Sequence, residues 1–350
     1  MGREHGRHDR QLWQGGLSVP SRHPGDTGRG SAPRAGRGAE DVVATLYEEY
    51  FLDAAGPRPE VSSHWQALLG QSRIGVKAGE VAELAGAGFG TMSHLSVLDK
   101  LSSMMTIAGY LVALPRRAEL ARQIPAGRAV ARRMGLWFSY DCFRQLCTLS
   151  CLREYGLPEK PNVLIIGDGY GYLAGLIKAS VPGSRVCLVD LGETLLFQAA
   201  HLARAFPRLT HQLVRGNTPA GDFMFCPADE LDRLSSHRFD VAVNVASMQE
   251  MHPDVIASYF RLLRTTLRPR NLFYCCNRLE KRMPGGEVAR FFEYPWSEDD
   301  EIHLDELCPW HRFFVAARPT KRGPRLAGVR VPLINFFDGE HHHRLLTLSG

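Results

Sequence analysis

Apolar residues recur at helical spacing through the N-terminal part of the chain, as in Val42, Val43 and Leu46. This spacing predicts helices over residues 41–52, 62–69, 93–114, 116–123 and 138–155. No alternation of apolar and polar residues typical of a strand stands out between them. We therefore predict that residues 40–157 form an all-α region that caps a site or mediates homo-oligomer formation.

The pattern changes at Leu157-Pro-Glu-Lys-Pro, whose prolines end the preceding helix and mark a domain boundary. Strands are predicted over 162–167, 185–190, 223–226, 239–244 and 271–276, and helices over 173–180, 193–206 and 253–267. The first strand is an uninterrupted apolar run, typical of a central parallel strand buried on both faces. Residues 158–350 are thus predicted to form a doubly wound, Rossmann-like α/β sheet with ligands at the carboxyl ends of its strands. Two further strands, over 312–317 and 329–336, are predicted to pair antiparallel at its edge.

Residues 1–39 are rich in Gly, Arg, His, Pro and Ser and show almost no apolar periodicity. Such a composition cannot bury enough surface to offset its ordering entropy, so we predict a disordered basic tail. Its arginines could contact an anionic surface, but a solvated extension or a misassigned start codon explains them equally well. No signal-peptide pattern is present, and the most apolar segments, 104–114 and 136–143, are shorter than the roughly 20 residues that span a bilayer. We expect a cytoplasmic protein without stable membrane insertion.

The composition bears on two kinds of partner, nucleic acids and metal ions. The net charge of +5 comes from 42 basic and 37 acidic residues spread along the chain, so it gives no argument for a nucleic-acid partner. Several of the eight cysteines lie in apolar runs, with no CxxC pair and no histidines at zinc spacing. We expect reduced core thiols and no metal, because the consecutive histidines 341–343 are a weaker signal than ligands at fixed spacing.

A glycine-rich loop, Gly167-Asp168-Gly169-Tyr170-Gly171, lies between the first predicted strand and its helix. Glycines there allow positive φ angles and bring backbone N–H groups and a helix N-terminus against a cofactor. Asp190 ends the next strand, where this architecture carries the carboxylate for a ribose diol. A helix cap or a solvated turn is the structural alternative for Asp190.

The loop spacing separates two cofactor classes. A dinucleotide fingerprint is G-x-G-x-x-G, whereas the spacing here is G-x-G-x-G with Tyr172 next, which favours S-adenosylmethionine. A nicotinamide oxidoreductase remains the alternative, because Asp190 also suits NAD. Leu191, Ala228, Asp229 and Asn244, at the ends of later elements, complete the predicted cofactor site, although Asp229 could equally begin a helix.

Several stretches then carry a resemblance to a known family. They are Ile165-Ile-Gly-Asp-Gly-Tyr-Gly, Asp190-Leu-Gly-Glu-Thr-Leu, Phe239-Asp-Val-Ala-Val-Asn, Ser247-Met-Gln-Glu-Met, Phe273-Tyr-Cys-Cys-Asn-Arg, Glu293-Tyr-Pro-Trp and Asp305-Glu-Leu-Cys-Pro-Trp-His. From about residue 162 to 278, and less closely to 343, the chain resembles the sugar O-methyltransferase family of class I S-adenosylmethionine-dependent enzymes. The resemblance implies a Rossmann-like methyltransferase sheet and a sugar-containing acceptor, such as a glycan, glycolipid or nucleotide sugar.

One position departs from the class. Many class I methyltransferases place an acid two positions before the first loop glycine, and here that residue is Ile165. Asp168 could instead meet the positively charged methionine end of the cofactor. The same departure supports a third interpretation, a non-catalytic domain that retains the fold for assembly.

Methyl transfer to a hydroxyl is helped by a general base. The candidates follow the fourth strand: His252, whose ordinary pKa is near neutrality, and Glu250, which could be base, substrate anchor or ligand of a divalent ion. Both could instead cap the helix that begins at Pro253. Asn277 and Arg278, after the fifth strand, and His311 are the predicted substrate-binding residues.

Overall fold

The computed structural model describes residues 17–18, 38–52, 61–69, 73–77, 80–85, 96–115, 117–215, 221–316 and 323–350. The predicted tail, residues 1–39, lies outside these ranges except for residues 38 and 39 and for Leu17–Ser18, which form strand β1. The N-terminal elements that follow are α1 (Ala39–Tyr47) with a π-helical turn (Glu48–Leu52), α2 (Ser63–Leu69), β2 (Arg73–Lys77), β3 (Glu80–Ala85), α3 (Val97–Ala113), α4 (Arg117–Met134) and α5 (Tyr140–Glu154).

The predicted N-terminal helices are confirmed, but two details differ. Helix α4 continues through Pro125, beyond its predicted end, because Leu120, Val130 and Met134 are buried along it. Their burial offsets the backbone hydrogen bond that a proline removes. The prediction of an entirely helical region is wrong at β2 and β3, which pair antiparallel, with β1 on the other side of β3. In β2 the apolar Ile74 and Val76 do alternate with glycine and charged residues, so the sequence carries a strand pattern that the prediction overlooked.

The remaining elements form the main sheet and its helices. They are β4 (Asn162–Ile166), α6 (Tyr172–Ser180), β5 (Arg185–Asp190), α7 (Gly192–Ala205), β6 (His211–Leu213), β7 (Phe223–Pro227), β8 (Phe239–Val245), α8 (Pro253–Thr266), β9 (Leu267–Arg278), β10 (Glu280–Arg282), β11 (Val288–Arg290), β12 (Glu301–Leu307), β13 (Phe313–Val315), β14 (Arg325–Leu326), β15 (Val329–Arg330), β16 (Ile334–Phe336) and β17 (His341–Thr347).

The main sheet has the order β12-β17-β9-β8-β4-β5-β7-β6. Strands β4 to β9 are parallel, whereas β17 is antiparallel to β9 and to β12. The predicted doubly wound, Rossmann-like sheet is confirmed. The chain order reverses at β4, with β5 on one side and β8 on the other, so a crevice opens at the carboxyl ends of these strands.

The C-terminal strands only partly match the prediction. The predicted antiparallel pair forms as β13 and β16, but it is a separate two-stranded sheet. The antiparallel edge of the main sheet consists of β17 and β12 instead. Strand β17 begins with the polar run His341-His-His-Arg. Such a run does not predict a buried strand, although these four residues are buried.

Helices cover both faces of the sheet. Val43 and Phe143 of the N-terminal helices share one buried cluster with Val163 and Leu188 of the sheet, so these helices do not have a core of their own. On the opposite face, Phe260 of α8 packs in a second cluster. No helix in the described ranges is long and apolar enough to cross a membrane. Helix α3 exposes a row of apolar side chains (Val97, Leu98, Leu101 and Val112), and a homo-oligomer through the N-terminal helices stays a prediction.

Candidate functional site

The glycine loop forms the predicted tight turn between β4 and α6. Gly167, Gly169 and Gly171 have φ angles of 78°, 59° and 76°, in the left-handed region that favours glycine. A Cβ atom on Gly167 would lie 2.0 Å from Ser247 Oγ, so this glycine makes room for the serine of the loop after β8. A Cβ atom on Gly171 would lie 3.3 Å from the Cα atom of Gln198, so this glycine allows α6 to pack closely on α7.

Asp168 caps helix α6. Its Oδ1 accepts a hydrogen bond from the Leu173 N–H at 3.0 Å, and its Oδ2 accepts one from the Ala174 N–H at 2.7 Å. Burial raises the pKa of this carboxyl to about 7, although the two backbone N–H groups lower it. The side chain is therefore directed at its own helix, and we assign it this capping role in place of the predicted contact with a methionine end.

Asp190 ends strand β5 at the wall of a cavity of about 590 Å³. Its Oδ1 accepts a hydrogen bond from the Leu191 N–H at 2.9 Å, and its Oδ2 accepts one from Gln198 Nε2 at 2.7 Å. Burial raises the pKa of the Asp190 carboxyl to about 7 despite these hydrogen bonds. The carboxylate is thus held in one orientation and retains lone pairs for a hydroxyl donor.

The same cavity brings together most of the predicted adenosyl site. Asp190, Leu191, Ala228 and Asp229 all line it, and so does Glu250 from the loop after β8. Its volume is in the range of small-molecule sites, roughly 300–1,000 Å³. The glycine loop itself does not line this cavity; Ser247 does and lies between the two.

Asn244 and Asn277 are buried hydrogen-bonding residues and do not line the cavity. The Asn277 side-chain amide donates to Asn244 Oδ1 at 2.8 Å, and the Asn244 amide donates to the Ile166 carbonyl at 2.9 Å. In return, Asn244 Oδ1 accepts from the Met248 N–H at 3.2 Å, and Asn277 Oδ1 accepts from the Gln249 N–H at 3.0 Å. These bonds fasten the loop after β8 to three strand ends, so both residues position the loop and the predicted ligand contacts are not supported.

Glu250 lies between two basic side chains. Lys281 Nζ donates to Glu250 Oε1 at 2.6 Å, and His64 Nε2 lies 3.4 Å from the same oxygen. Burial raises the pKa of the Glu250 carboxyl, but the hydrogen bond from His64 and the charge of Lys281 outweigh it, so this pKa is below its ordinary value. A carboxylate of low pKa is a weak base, which favours the anchoring role over the base role for Glu250.

His252 is a helix cap, the structural alternative that the sequence left open. Its Nδ1 accepts a hydrogen bond from the Asp254 N–H at 3.4 Å at the start of α8. The side chain is 49% exposed and does not line the cavity, so the geometry gives no support to a catalytic role.

Arg278 and His311 also lie away from the cavity. The Arg278 backbone N–H donates to Gln249 Oε1 at 2.7 Å, which adds to the anchoring of the loop after β8. His311 is buried beside two cysteine sulfurs on the β17 side of the sheet. Neither residue is placed to bind an acceptor in the cavity described above.

The residues that sequence reasoning missed come from the N-terminal region. Val61, Ser62 and Trp65 line the cavity, and His64, which precedes Trp65 in helix α2, contacts Glu250. The ring of Tyr50 packs on Gly192, two residues after Asp190, so closely that a Cβ atom on this glycine would lie 2.1 Å from the ring. No spacing rule links α2 to the strand ends, so only the fold reveals these contacts.

Solved structures with a similar arrangement include several methyltransferases. Coclaurine N-methyltransferase bound to N-methylheliamine and SAH is 12% identical with a TM-score of 0.35, over 47% of this chain and 51% of that one. TrmN from Thermus thermophilus is 15% identical with a TM-score of 0.35, over 58% of this chain and 48% of that one. A TehB-like SAM-dependent methyltransferase from Corynebacterium glutamicum is 15% identical with a TM-score of 0.35, over 59% of this chain and 94% of that one.

The chain spans about half the length of the first two of these structures. No protein-family model and no curated protein matches the sequence. At such low identities and TM-scores, the likeness gives no information about the reaction. Any assignment of a reaction depends on the residues of the site.

Proposed function

We propose that this chain is an S-adenosylmethionine-dependent O-methyltransferase that acts on a sugar hydroxyl. The observation that carries the proposal is the oriented carboxylate of Asp190 at the wall of a cavity that Ala228 and Asp229 also line. These residues end the neighbouring parallel strands β5 and β7 or follow directly after them. A carboxylate there suits a ribose diol, and the backbone and carboxylate at 228–229 suit the edge of an adenine.

The helix after the glycine loop favours S-adenosylmethionine over NAD. A dinucleotide places its pyrophosphate against free N–H groups at this helix N-terminus. Here the Asp168 carboxylate accepts from the N–H groups of Leu173 and Ala174, the ones that an anion would need. A buried acid at that point repels a pyrophosphate when it is ionised, whereas it is compatible with a ligand that carries a sulfonium and an ammonium group.

We assign the base to His64, which does not itself line the cavity but lies 3.4 Å from the carboxylate of Glu250, which does. When its Nε2–H donates to Glu250 Oε1, the other ring nitrogen carries the lone pair that can accept a proton. Lys281 Nζ donates to the same oxygen of Glu250 and helps to fix this carboxylate, so Glu250 sets the orientation and tautomer of the imidazole. We therefore assign the proton acceptor to His64 and the positioning of that acceptor to Glu250.

The bound cofactor would supply a methyl group activated by a sulfonium. The residues of the chain would hold the acceptor oxygen close to it, and much of the rate of such transfers comes from this alignment. Trp65 offers the cavity an indole ring on which the apolar face of a sugar can pack. The sugar class itself rests on the sequence resemblance to sugar O-methyltransferases.

The test is transfer of a labelled methyl group. The full chain is incubated with methyl-deuterated S-adenosylmethionine and with panels of glycans, glycolipids, nucleotide sugars and amines, and the products are analysed by mass spectrometry. The proposal predicts label on a sugar hydroxyl and loss of turnover in His64→Gln. Label on nitrogen acceptors alone would contradict O-methylation, and cofactor binding without transfer to any acceptor would favour the non-catalytic alternative.

A further inference from the structure

A second cluster of reactive side chains lies away from the cavity, on the β17 side of the sheet. Cys276 is on β9, while Cys308 and His311 are in the turn between β12 and β13. His311 Nδ1 lies 3.1 Å from Cys308 Sγ and 3.7 Å from Cys276 Sγ. All three residues are buried, and their three donor atoms lie within 4.8 Å of one another.

These separations are close to those of a metal coordination shell. A tetrahedral zinc with Zn–S near 2.3 Å and Zn–N near 2.0 Å places a sulfur and a nitrogen about 3.5 Å apart. The two measured S···N distances lie on either side of that value. Small side-chain shifts would therefore bring the three donors to bonding distance of one ion.

The sequence spacing of Cys308 and His311 is also that of a metal-ligand pair. Cys308-Pro-Trp-His311 places two donors three positions apart on a short helical turn, the spacing of ligand pairs in structural zinc sites. The third donor, Cys276, is distant in the sequence and is brought in by the pairing of β9 with β17. The search of the sequence for CxxC pairs and for histidines at zinc spacing does not detect such a cluster, because one of its donors comes from a distant strand.

A neighbouring histidine stands beside the cluster. The ring of His341 stacks on the ring of His311 with centroids 4.5 Å apart. His341 Nδ1 is buried, and no hydrogen-bond partner for it exists among the described residues. His341 lies beside the cluster, outside the group of donor atoms that lie within 4.8 Å of one another.

We propose that Cys276, Cys308 and His311 bind one Zn²⁺ ion, beside the stacked ring of His341. The ion would tie the turn after β12 to β9 of the main sheet. Because its ligands are buried and lie away from the cavity, its role is structural. This proposal is independent of the reaction proposed above.

The test measures metal content and ligand chemistry in the full chain. Protein purified under reducing conditions without chelators should contain about one zinc per chain by mass spectrometry of the metal. After replacement by Co²⁺, the near-ultraviolet band of a thiolate–cobalt bond should appear. Cys308→Ser and His311→Gln should lose both signals, whereas the matched control Cys187→Ser, a buried cysteine of β5, should keep them.

Stability provides a second measurement if a variant fails to fold. The wild-type chain should melt at a higher temperature with zinc than after treatment with a chelator. A folded, reduced wild type without zinc, and without a thiolate band on Co²⁺ titration, would overturn the proposal. A disulfide between Cys276 and Cys308 in the purified protein, or zinc retained in full by Cys308→Ser, would also overturn it.

Discussion

His64 Nε2 lies 3.4 Å from Glu250 Oε1 and so connects helix α2 with the loop that follows strand β8. Lys281 Nζ contacts the same carboxylate oxygen at 2.6 Å. The carboxylate is therefore held between two basic groups at the cavity wall. This contact makes the N-terminal region part of the site as well as part of the shared core.

The first prediction concerns this pair. His64→Gln should lower kcat by roughly 100-fold or more, because general-base assistance is typically worth about 100- to 10,000-fold. The affinity for S-adenosylmethionine should stay within about threefold of wild type, as measured by calorimetry. Glu250→Gln should also lower kcat and should shift the pH profile of kcat, because it removes the carboxylate that orients the imidazole of His64.

His252→Gln is the matched control, since this histidine is an exposed helix cap outside the cavity. It should change kcat by less than about threefold, with at most a small loss of stability. A large loss of turnover in His252→Gln together with normal turnover in His64→Gln would show that the base is assigned to the wrong residue.

The second prediction is the pH dependence of cofactor binding. The Asp190 carboxyl has a pKa of about 7 in the ligand-free protein, chiefly because it is buried. The ionised form accepts hydrogen bonds from a diol, so affinity should rise as the pH increases through 7. Below pH 7 it should fall by about tenfold per unit, because one proton must leave before binding.

Calorimetric titrations of S-adenosylhomocysteine from pH 5.5 to 8.5 measure this dependence. Asp190→Asn removes the titrating group, so its residual affinity should be nearly flat over the same interval. A wild-type affinity that is flat across pH 7, or that weakens as the pH rises, would contradict this account of Asp190.

The third prediction concerns the cap of α6. Asp168→Ala leaves the Leu173 and Ala174 N–H groups without their acceptor and should lower the free energy of unfolding by about 1–3 kcal/mol. Burial raises the pKa of Asp168 in the folded protein to about 7, above the ordinary 3.8. The folded state therefore binds the extra proton between about pH 4 and 7, and this residue's contribution to stability falls as the pH rises through that interval.

Denaturant unfolding at pH 5 and pH 8 tests both statements. The stability of the wild type relative to Asp168→Asn should be greater at pH 5 than at pH 8, since asparagine does not titrate. An equal difference at the two pH values would show that the carboxyl is ionised throughout, and an unchanged stability in Asp168→Ala would exclude the capping role.

The fourth prediction concerns the paired asparagines. Asn277→Ala leaves Asn244 Oδ1 without one donor and leaves the buried Gln249 N–H without its acceptor. Each buried group left unpaired costs roughly 1–3 kcal/mol, so the free energy of unfolding should fall by a few kcal/mol. Denaturant unfolding measures the loss, with the exposed Glu298→Ala as control. Full stability in Asn277→Ala, with cofactor or acceptor binding alone impaired, would restore the predicted ligand role.

The central strands were predictable because parallel strands buried on both faces read as apolar runs, as in Asn162–Ile166. Strand β17 was not, because its polar residues are buried by specific pairing, such as Arg344 Nη2 with Asp305 Oδ2 at 2.7 Å. Such a pair depends on β12 lying alongside, which the local sequence does not encode.

Some residues of the candidate site were likewise predictable from the sequence, and others were not. Asp190, Ala228 and Asp229 were predictable, because the carboxyl ends of neighbouring parallel strands converge by a general rule. His64 was not, because a short helix far from these strands in the sequence delivers it. Polar residues at strand ends can also serve the fold alone, and the hydrogen bonds of Asn244 with Ile166 and Met248 favour that role over the predicted ligand contact.

Cofactor binding by the wild type and Asp190→Ala, measured by calorimetry with S-adenosylmethionine and with NAD, tests the central claim most directly. We predict that the wild type releases or absorbs heat with S-adenosylmethionine and not with NAD. Asp190→Ala should keep the wild-type circular dichroism but bind S-adenosylmethionine roughly 100-fold more weakly, since charge-assisted hydrogen bonds to the ribose are lost. Heat with NAD alone, or equal affinity for S-adenosylmethionine in the two proteins, would contradict the account.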